Sequence, residues 1–129
     1  MIILADDEIY IRSSAIKLIE KIAREKNWKI NIFESFDGLE TLYLTYKCLL
    51  KGINIDLILS DESMNYWKGS KSSEEIKRLF DELRLESPPF YLVTAYDSEN
   101  FAFLKTVKKV LTKPLNSEQF INILKEYFS

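Results

Sequence analysis

The chain has no histidine. That excludes nucleophilic triads built on a histidine base and every metal site that needs imidazole. Cys48 is the only cysteine, which excludes a disulfide framework and a thiolate metal cluster. Any metal must therefore be held by oxygen, which narrows the choice to Mg2+, Mn2+ or Ca2+. Three glycines in 129 residues leave no glycine-rich phosphate loop, so P-loop and Rossmann-type nucleotide binding fall away. The net charge is only −2, so no basic field draws the chain to nucleic acid or to an anionic membrane. No apolar run approaches bilayer length and no signal-peptide pattern opens the chain, so a cytoplasmic protein without membrane contact is expected.

What is present is the composition of a soluble globular protein, 47% hydrophobic and 29% charged, long enough for a single domain spanning residues 1–129. Ile2–Ala5 reads as a short buried strand that runs into Asp6-Asp7-Glu8. From about Tyr10 to Lys26 the period changes, with Ile11, Ala15, Leu18, Ile19 and Ile22 at helical steps. Lys29–Phe33 predicts a second strand. Leu39, Leu42, Tyr43, Tyr46 and Leu50 predict a second helix that stops near Gly52. Ile55–Ser60 predicts strand three and Ser72–Leu85 helix three; after Pro88-Pro89, Phe90–Val93 predicts strand four. Ser98–Thr106 predicts a short helix with Phe101 and Leu104 inward, and Val107–Leu111 a weak strand. Ser117–Phe128 closes the chain as a helix with Ser117 as its N-cap and Phe120, Ile121, Leu124, Tyr127 and Phe128 on one face. Strands alternating with helices argue for an α/β fold: one doubly wound, five-stranded parallel sheet covered by helices on both faces.

In such a sheet, ligands bind beyond the carboxyl ends of the strands. Asp6 and Asp7 follow strand one, Asp61 follows strand three, Thr94-Ala95 closes strand four, and Lys113-Pro114 closes strand five. Each alone has an ordinary explanation as a loop acid, a strand-ending threonine or a solvated lysine. Together at one sheet edge, three carboxylates repel unless a cation is shared or a proton is taken up. Thr94 adds a hydroxyl that can donate to a phosphoryl oxygen, and Lys113 adds a point charge for a carboxylate or a phosphoryl group.

In this order and spacing the residues resemble the receiver domain of two-component response regulators, along essentially the whole chain. Asp6-Asp7-Glu8 followed by Arg12 resembles the family's acidic opening. Asp61 matches its phosphoacceptor, with Met64 three residues on and Gly69 eight on, and Asp37-Gly38 resembles its turn into helix two. Thr94-Ala95 matches the switch hydroxyl with its small neighbour, and Lys113-Pro114 the closing Lys-Pro. The resemblance implies a flavodoxin-like (βα)5 fold with strand order 2-1-3-4-5. It implies Mg2+, with Mn2+ able to substitute, held by Asp6, Asp7, Asp61 and the backbone carbonyl of Ser63. It implies phosphoryl transfer to Asp61 from a histidine kinase or phosphotransfer partner, with Thr94 as the switch hydroxyl and Lys113 contacting the phosphoryl or carboxylate group. The chain would be no enzyme beyond its own phosphorylation and slow self-dephosphorylation. An output domain or target protein is implied but not identified, direct contact with nucleic acid is not, and a homodimer remains open. The chain could stand alone or come from a longer regulator or hybrid kinase.

Some positions depart from the family pattern. Ile9 and Asn65 replace common prolines, and Val110 stands where the family carries an aromatic, three residues before the lysine. The span from Thr94 to Lys113 is shorter than usual. Tyr96 is a candidate substitute gate. A pseudo-receiver that only binds other proteins stays open as an alternative. A Mg2+-dependent phosphohydrolase does too, although the dehalogenase-like kind would want Asp-x-Asp after strand one.

Overall fold

The computed structural model describes residues 1–95, 98–101 and 104–129. Five parallel strands, β1 (Ile2–Ala5), β2 (Ile32–Ser35), β3 (Leu57–Asp61), β4 (Phe90–Thr94) and β5 (Lys109–Thr112), form one sheet in the order β2-β1-β3-β4-β5. Four α-helices among the described residues cover it: α1 (Ile9–Lys26), α2 (Gly38–Leu50), α3 (Gly69–Glu82) and α4 (Ser117–Lys125). Strand β1 pairs with β2 on one side and β3 on the other, with Ala5 opposite both Ser35 and Ser60. Strand order thus reverses between β1 and β3, and a crevice opens beyond their carboxyl ends.

Every residue of β1 and β3 is buried, as expected for strands covered on both faces. Side chains alternate between two cores. Ile2, Leu4, Leu57, Leu59 and Tyr91 meet Ile19 and Ile22 of α1 and Phe120, Ile123 and Leu124 of α4. Ile3, Ile58, Phe90 and Leu92 meet Cys48 of α2 and Ile76 and Phe80 of α3.

Several boundaries differ from the sequence prediction, each for a local reason. Strand β2 begins at Ile32, because Asn27 adopts the left-handed conformation and the Trp28 amide bonds the Ala23 carbonyl, so the next residues are spent leaving α1. Strand β3 begins at Leu57 because the chain is still closing the end of α2, with the Ile53 amide on the Cys48 carbonyl; it runs on to include Asp61. Helix α3 starts earlier than predicted, at Gly69, and ends at Glu82, where Arg84 turns left-handed. A Cβ at Gly69 would collide with the Asp61 carbonyl and the Leu92 side chain, so only glycine lets α3 begin against the end of β3. The N-cap of α4 is Asn116, not Ser117: its side chain accepts from the Gln119 amide at 2.8 Å while the Gln119 side chain accepts from the Asn116 amide at 2.9 Å.

Among the described residues of the helix predicted over Ser98–Thr106, Ser98–Phe101 form a 3-10 turn and Leu104 to Thr106 are not helical. The chain is drawn back to the sheet too soon for a helix. Thr106 shares a 2.7 Å hydroxyl contact with Ser73 of α3, and the Lys108 amide reaches the Phe90 carbonyl at 2.8 Å. Phe101 and Leu104 do face inward, joined by Val107 and Val110 on the α2–α3 core. Tyr96 lies outside the described residues.

Helix α2 forms as predicted and ends at Leu50, shortly before Gly52. Thr41, Thr45 and Cys48 are buried on its inner side, with Leu42, Leu44 and Leu49 packed beside them, and Gly38 is buried against Trp67 and Lys68, while Leu39, Tyr43, Tyr46 and Leu50 are exposed. The polar members of the inner face are satisfied locally: the Thr41 hydroxyl meets Ser35 at 2.8 Å, and the Thr45 hydroxyl donates to the Thr41 carbonyl at 2.7 Å.

Candidate phosphoryl and cation site

Three strand ends deliver the site. Asp6 and Asp7 leave β1, Asp61 ends β3, and Lys113 follows β5. One carboxylate oxygen from each of Asp6, Asp7 and Asp61 lies within 4.8 Å of the others, with Asp6 and Asp61 buried and Asp7 half-buried. The Lys113 ammonium sits 3.1 Å from Asp61 Oδ2 and 3.5 Å from Asp6 Oδ2. The lysine therefore bridges two carboxylates that would otherwise repel across the crevice.

The backbone holds each member in place. The Asp6 amide donates to the Ser35 carbonyl at 3.1 Å, and its Oδ1 accepts from the Glu8 amide at 2.9 Å. Thr94 is buried at the end of β4, opposite Thr112, and its carbonyl accepts the Lys113 amide at 2.7 Å. The hydroxyl-bearing residue and the lysine are thus joined through the backbone. The Lys113–Pro114 peptide is cis.

Burial raises the Asp61 pKa above the ordinary carboxyl value. Lys113 and the Ser63 backbone amide oppose that shift, and the Asp6 charge adds to it. Burial also works against the Lys113 ammonium, but Asp61 and Asp6 outweigh it, and its pKa stands above the ordinary lysine value. Asp61 is therefore a carboxylate kept in an environment that disfavours its charge, with one cation to hold it ionised. The donor set is all oxygen, carboxylate-rich and like-charged, which is the chemistry that Mg2+ or Mn2+ takes.

No protein-family model matches the sequence, and no curated protein does. Solved structures do. A two-component response regulator from Cytophaga hutchinsonii has a TM-score of 0.81 at 17% identity, over 98% of this chain and 94% of that one. The receiver domain of Francisella response regulator 1452 has a TM-score of 0.66 at 25% identity, over 98% and 93%. This chain has the receiver-domain fold. A CheX–CheY–BeF3–Mg2+ complex from Borrelia burgdorferi shares it as well, with a TM-score of 0.73 at 17% identity over 97% and 86%.

Within this receiver fold the crevice has two further supports, Glu62 and Arg12. Glu62, next to Asp61, is buried, and both of its oxygens bind Ser70: the amide at 2.7 Å and the hydroxyl at 2.8 Å. This carboxylate anchors the start of α3, where an anion is favoured, and closes the loop that carries Ser63 and Met64. Nothing in the local pattern marks Glu62 apart from Asp61. Arg12 is buried as well. It donates to the Asp6 carbonyl at 2.7 Å and to Glu34 at 2.9 Å, and lies over the Phe36 ring at 4.6 Å. Here a signal existed, because Arg12 falls on the same helical stripe as Ile19 and Ile22, and a charge on a buried stripe needs a partner. A cavity of about 450 Å3 continues from Asp61 and Lys113 between α1 and α4, over Leu18, Leu59 and Phe120. No helix among the described residues is long and apolar enough to cross a membrane.

Proposed function

We propose that this chain is a phosphoacceptor receiver of a two-component or phosphorelay pathway, taking its phosphoryl group on Asp61. The observation that carries this reading is the gathering of Asp6, Asp7 and Asp61 within 4.8 Å, with Lys113 bridging Asp61 and Asp6. Mg2+, or Mn2+ in its place, would be held by Asp7, Asp61 and the Ser63 backbone carbonyl, with Asp6 acting mainly through water. When bound, the ion supplies Lewis-acid neutralisation of the phosphoryl oxygens.

The residues divide the work. An Asp61 carboxylate oxygen attacks the phosphorus of a phosphohistidine, or of a small phosphodonor; the O–P bond forms as the P–N bond breaks, and the histidine nitrogen keeps the electron pair. Lys113 keeps Asp61 ionised before transfer and turns to a phosphoryl oxygen afterwards. Thr94 donates its hydroxyl to the new phosphoryl group, and the backbone link from Lys113 to Thr94 carries the shift along β4 and β5. The partners are a histidine kinase or phosphotransfer protein and an output domain or target protein. The setting is the cytoplasm. Chemistry is limited to self-phosphorylation and slow self-dephosphorylation.

Val110 favours a second reading, a pseudo-receiver used only for protein contacts. It packs as an aliphatic residue with Phe101, Leu104 and Val107, so no aromatic ring stands there to follow Thr94. One experiment separates the readings: incubation with Mg2+ and acetyl phosphate followed by intact mass. A single phosphoryl adduct, labile in base and absent in Asp61→Asn, is the expected result. A folded chain without an adduct sustains the pseudo-receiver, and rapid turnover of many phosphate esters sustains a phosphohydrolase.

A further inference from the structure

Helix α2 is apolar almost all round. Glu40 and Lys47 are its only charged residues, yet it lies on the outside of the sheet with one face to solvent. Helices of that character are normally covered on both sides. The uncovered face is a regular stripe: Leu39 is 40% exposed, Tyr43 60%, Tyr46 44% and Leu50 69%. Their spacing of four, three and four residues is that of a coiled-coil seam. The inner face, with Thr41, Thr45 and Cys48, is already buried, and Gly38 is locked against Trp67 and Lys68, so the helix cannot roll to hide the stripe. A contiguous exposed apolar patch of this kind marks an interaction site.

We propose that this stripe pairs with the same stripe of a second copy of the chain, α2 against α2 in antiparallel orientation about a two-fold axis. The stripe reads Leu, Tyr, Tyr, Leu, which is the same in both directions. A two-fold midway between Tyr43 and Tyr46 therefore sets each Leu39 on the partner copy's Leu50 and each Tyr43 on the partner copy's Tyr46. That self-complementarity is what an isologous contact requires. The charges agree with it. Glu40 and Lys47 occupy equivalent positions on one flank of the seam, one turn from opposite ends, so the two-fold brings Glu40 of each copy to Lys47 of the other. A parallel arrangement would place these residues against Leu42 and Leu49 instead. Antiparallel pairing also opposes the helix dipoles favourably. Phe36 (53% exposed), before the helix, and Ile53 (36%), after it, add exposed apolar surface near its two ends. A 13-residue helix is about 20 Å long, so the contact falls below standard interface size and the dimer is weak and reversible, in the micromolar range.

Sedimentation equilibrium of the intact chain tests this. The expected result is a reversible monomer–dimer equilibrium, lost in Tyr43→Glu while the circular dichroism spectrum is unchanged. Glu40→Lys and Lys47→Glu should each weaken self-association about tenfold, by setting like charges opposite each other. An equimolar mixture of the two variants should associate as well as the original chain, because each contact across the heterodimer again joins one lysine to one glutamate. This mixing result does not depend on how the fold tolerates Tyr43→Glu. A chain that stays monomeric at millimolar concentration overturns the proposal and leaves the stripe to a different partner. A dimer indifferent to Tyr43→Glu, or variants that fail to complement, also overturns it.

Discussion

The two ends of the sheet carry two clusters of titratable groups with opposite characters. At the carboxyl end of the strands, Asp6 and Asp61 share one lysine while Asp7 lies beside them, so like charges outnumber the cation that holds them. At the other end, the buried Tyr91 hydroxyl meets Tyr127 at 2.8 Å and Glu126 at 3.1 Å, Lys108 donates to Tyr127 at 3.0 Å, and the Tyr91 and Tyr127 rings pack edge to face. Burial and these neighbours push the Tyr91 pKa far above the ordinary phenol value, so it remains a neutral hydroxyl throughout the physiological range. Every group in the second cluster has a matched partner, so it ties α4 to β4 and gains nothing from a ligand. The first cluster is held together at a cost that a divalent cation or a proton relieves. The contrast separates a site built for exchange from a site built for rigidity, although both look alike as patches of polar residues.

The sharpest way to break the contrast is Lys113→Met. It leaves Asp6 and Asp61 without their cation, and we expect a loss of about 2 kcal/mol at neutral pH after discounting for the lysine's partial exposure. Lys113 has a raised pKa in the folded chain. Its stabilisation is therefore complete below the unfolded lysine value and lost only as pH rises through the higher folded one. On the acid side the deficit should shrink, because Asp61 takes up a proton. Denaturant melts across pH measure both limbs, and a deficit that does not change on acidification would contradict the assignment.

Tyr91→Phe comes next, at about 1.5 kcal/mol from loss of the buried hydroxyl's bonds. Its signature is indifference: the loss should be the same with and without Mg2+ and flat from mildly acidic to neutral pH. Mg2+ at ten times its dissociation constant should stabilise the unmodified chain by about 1.4 kcal/mol. The same gain should appear in Tyr91→Phe and vanish in Asp7→Ala, as read by thermal melts with and without the ion.

The smallest effect should be Asp61→Asn, which we expect to stabilise the chain by about 1 kcal/mol at neutral pH by removing a buried charge beside Asp6. The sign follows from the raised folded pKa. The folded chain binds this proton more tightly than the unfolded chain, so its stability falls as pH rises from the ordinary carboxyl value through the raised one. The asparagine variant lacks that slope, so its advantage should disappear below that window. A variant less stable than the original chain at neutral pH would mean that the Lys113 contact outweighs burial.

The parts of this molecule that could be read from its sequence are those in which one residue type does one thing. Ile2–Ala5 is continuously apolar because both its faces are covered, and the acids and lysine at strand ends could be ordered along the chain. What escaped depends on contacts between distant segments. The anchoring of Glu62 to Ser70 is visible only once Gly69 lets α3 start against β3. The cap of α4 moved by one residue because Asn116 and Gln119 complete a reciprocal pair that Ser117 cannot. The apolar pattern of α2 was correct as a helix but could not say which face is buried; the small residues Thr41 and Thr45 turn inward, Thr41 onto Ser35 of β2, and Gly38 admits Trp67 and Lys68. The predicted helix before β5 failed because Thr106 and Lys108 are tied to α3 and β4.

Chemical trapping will show whether Asp61 supplies the carboxylate oxygen of a phosphoryl bond. After incubation with Mg2+ and acetyl phosphate, borohydride reduction converts an aspartyl phosphate to homoserine, which peptide mass analysis locates. Homoserine is expected at position 61 and nowhere else, with none formed when Mg2+ is chelated. Modification at Asp6 or Asp7, or none at all in the folded, Mg2+-loaded chain, would contradict it.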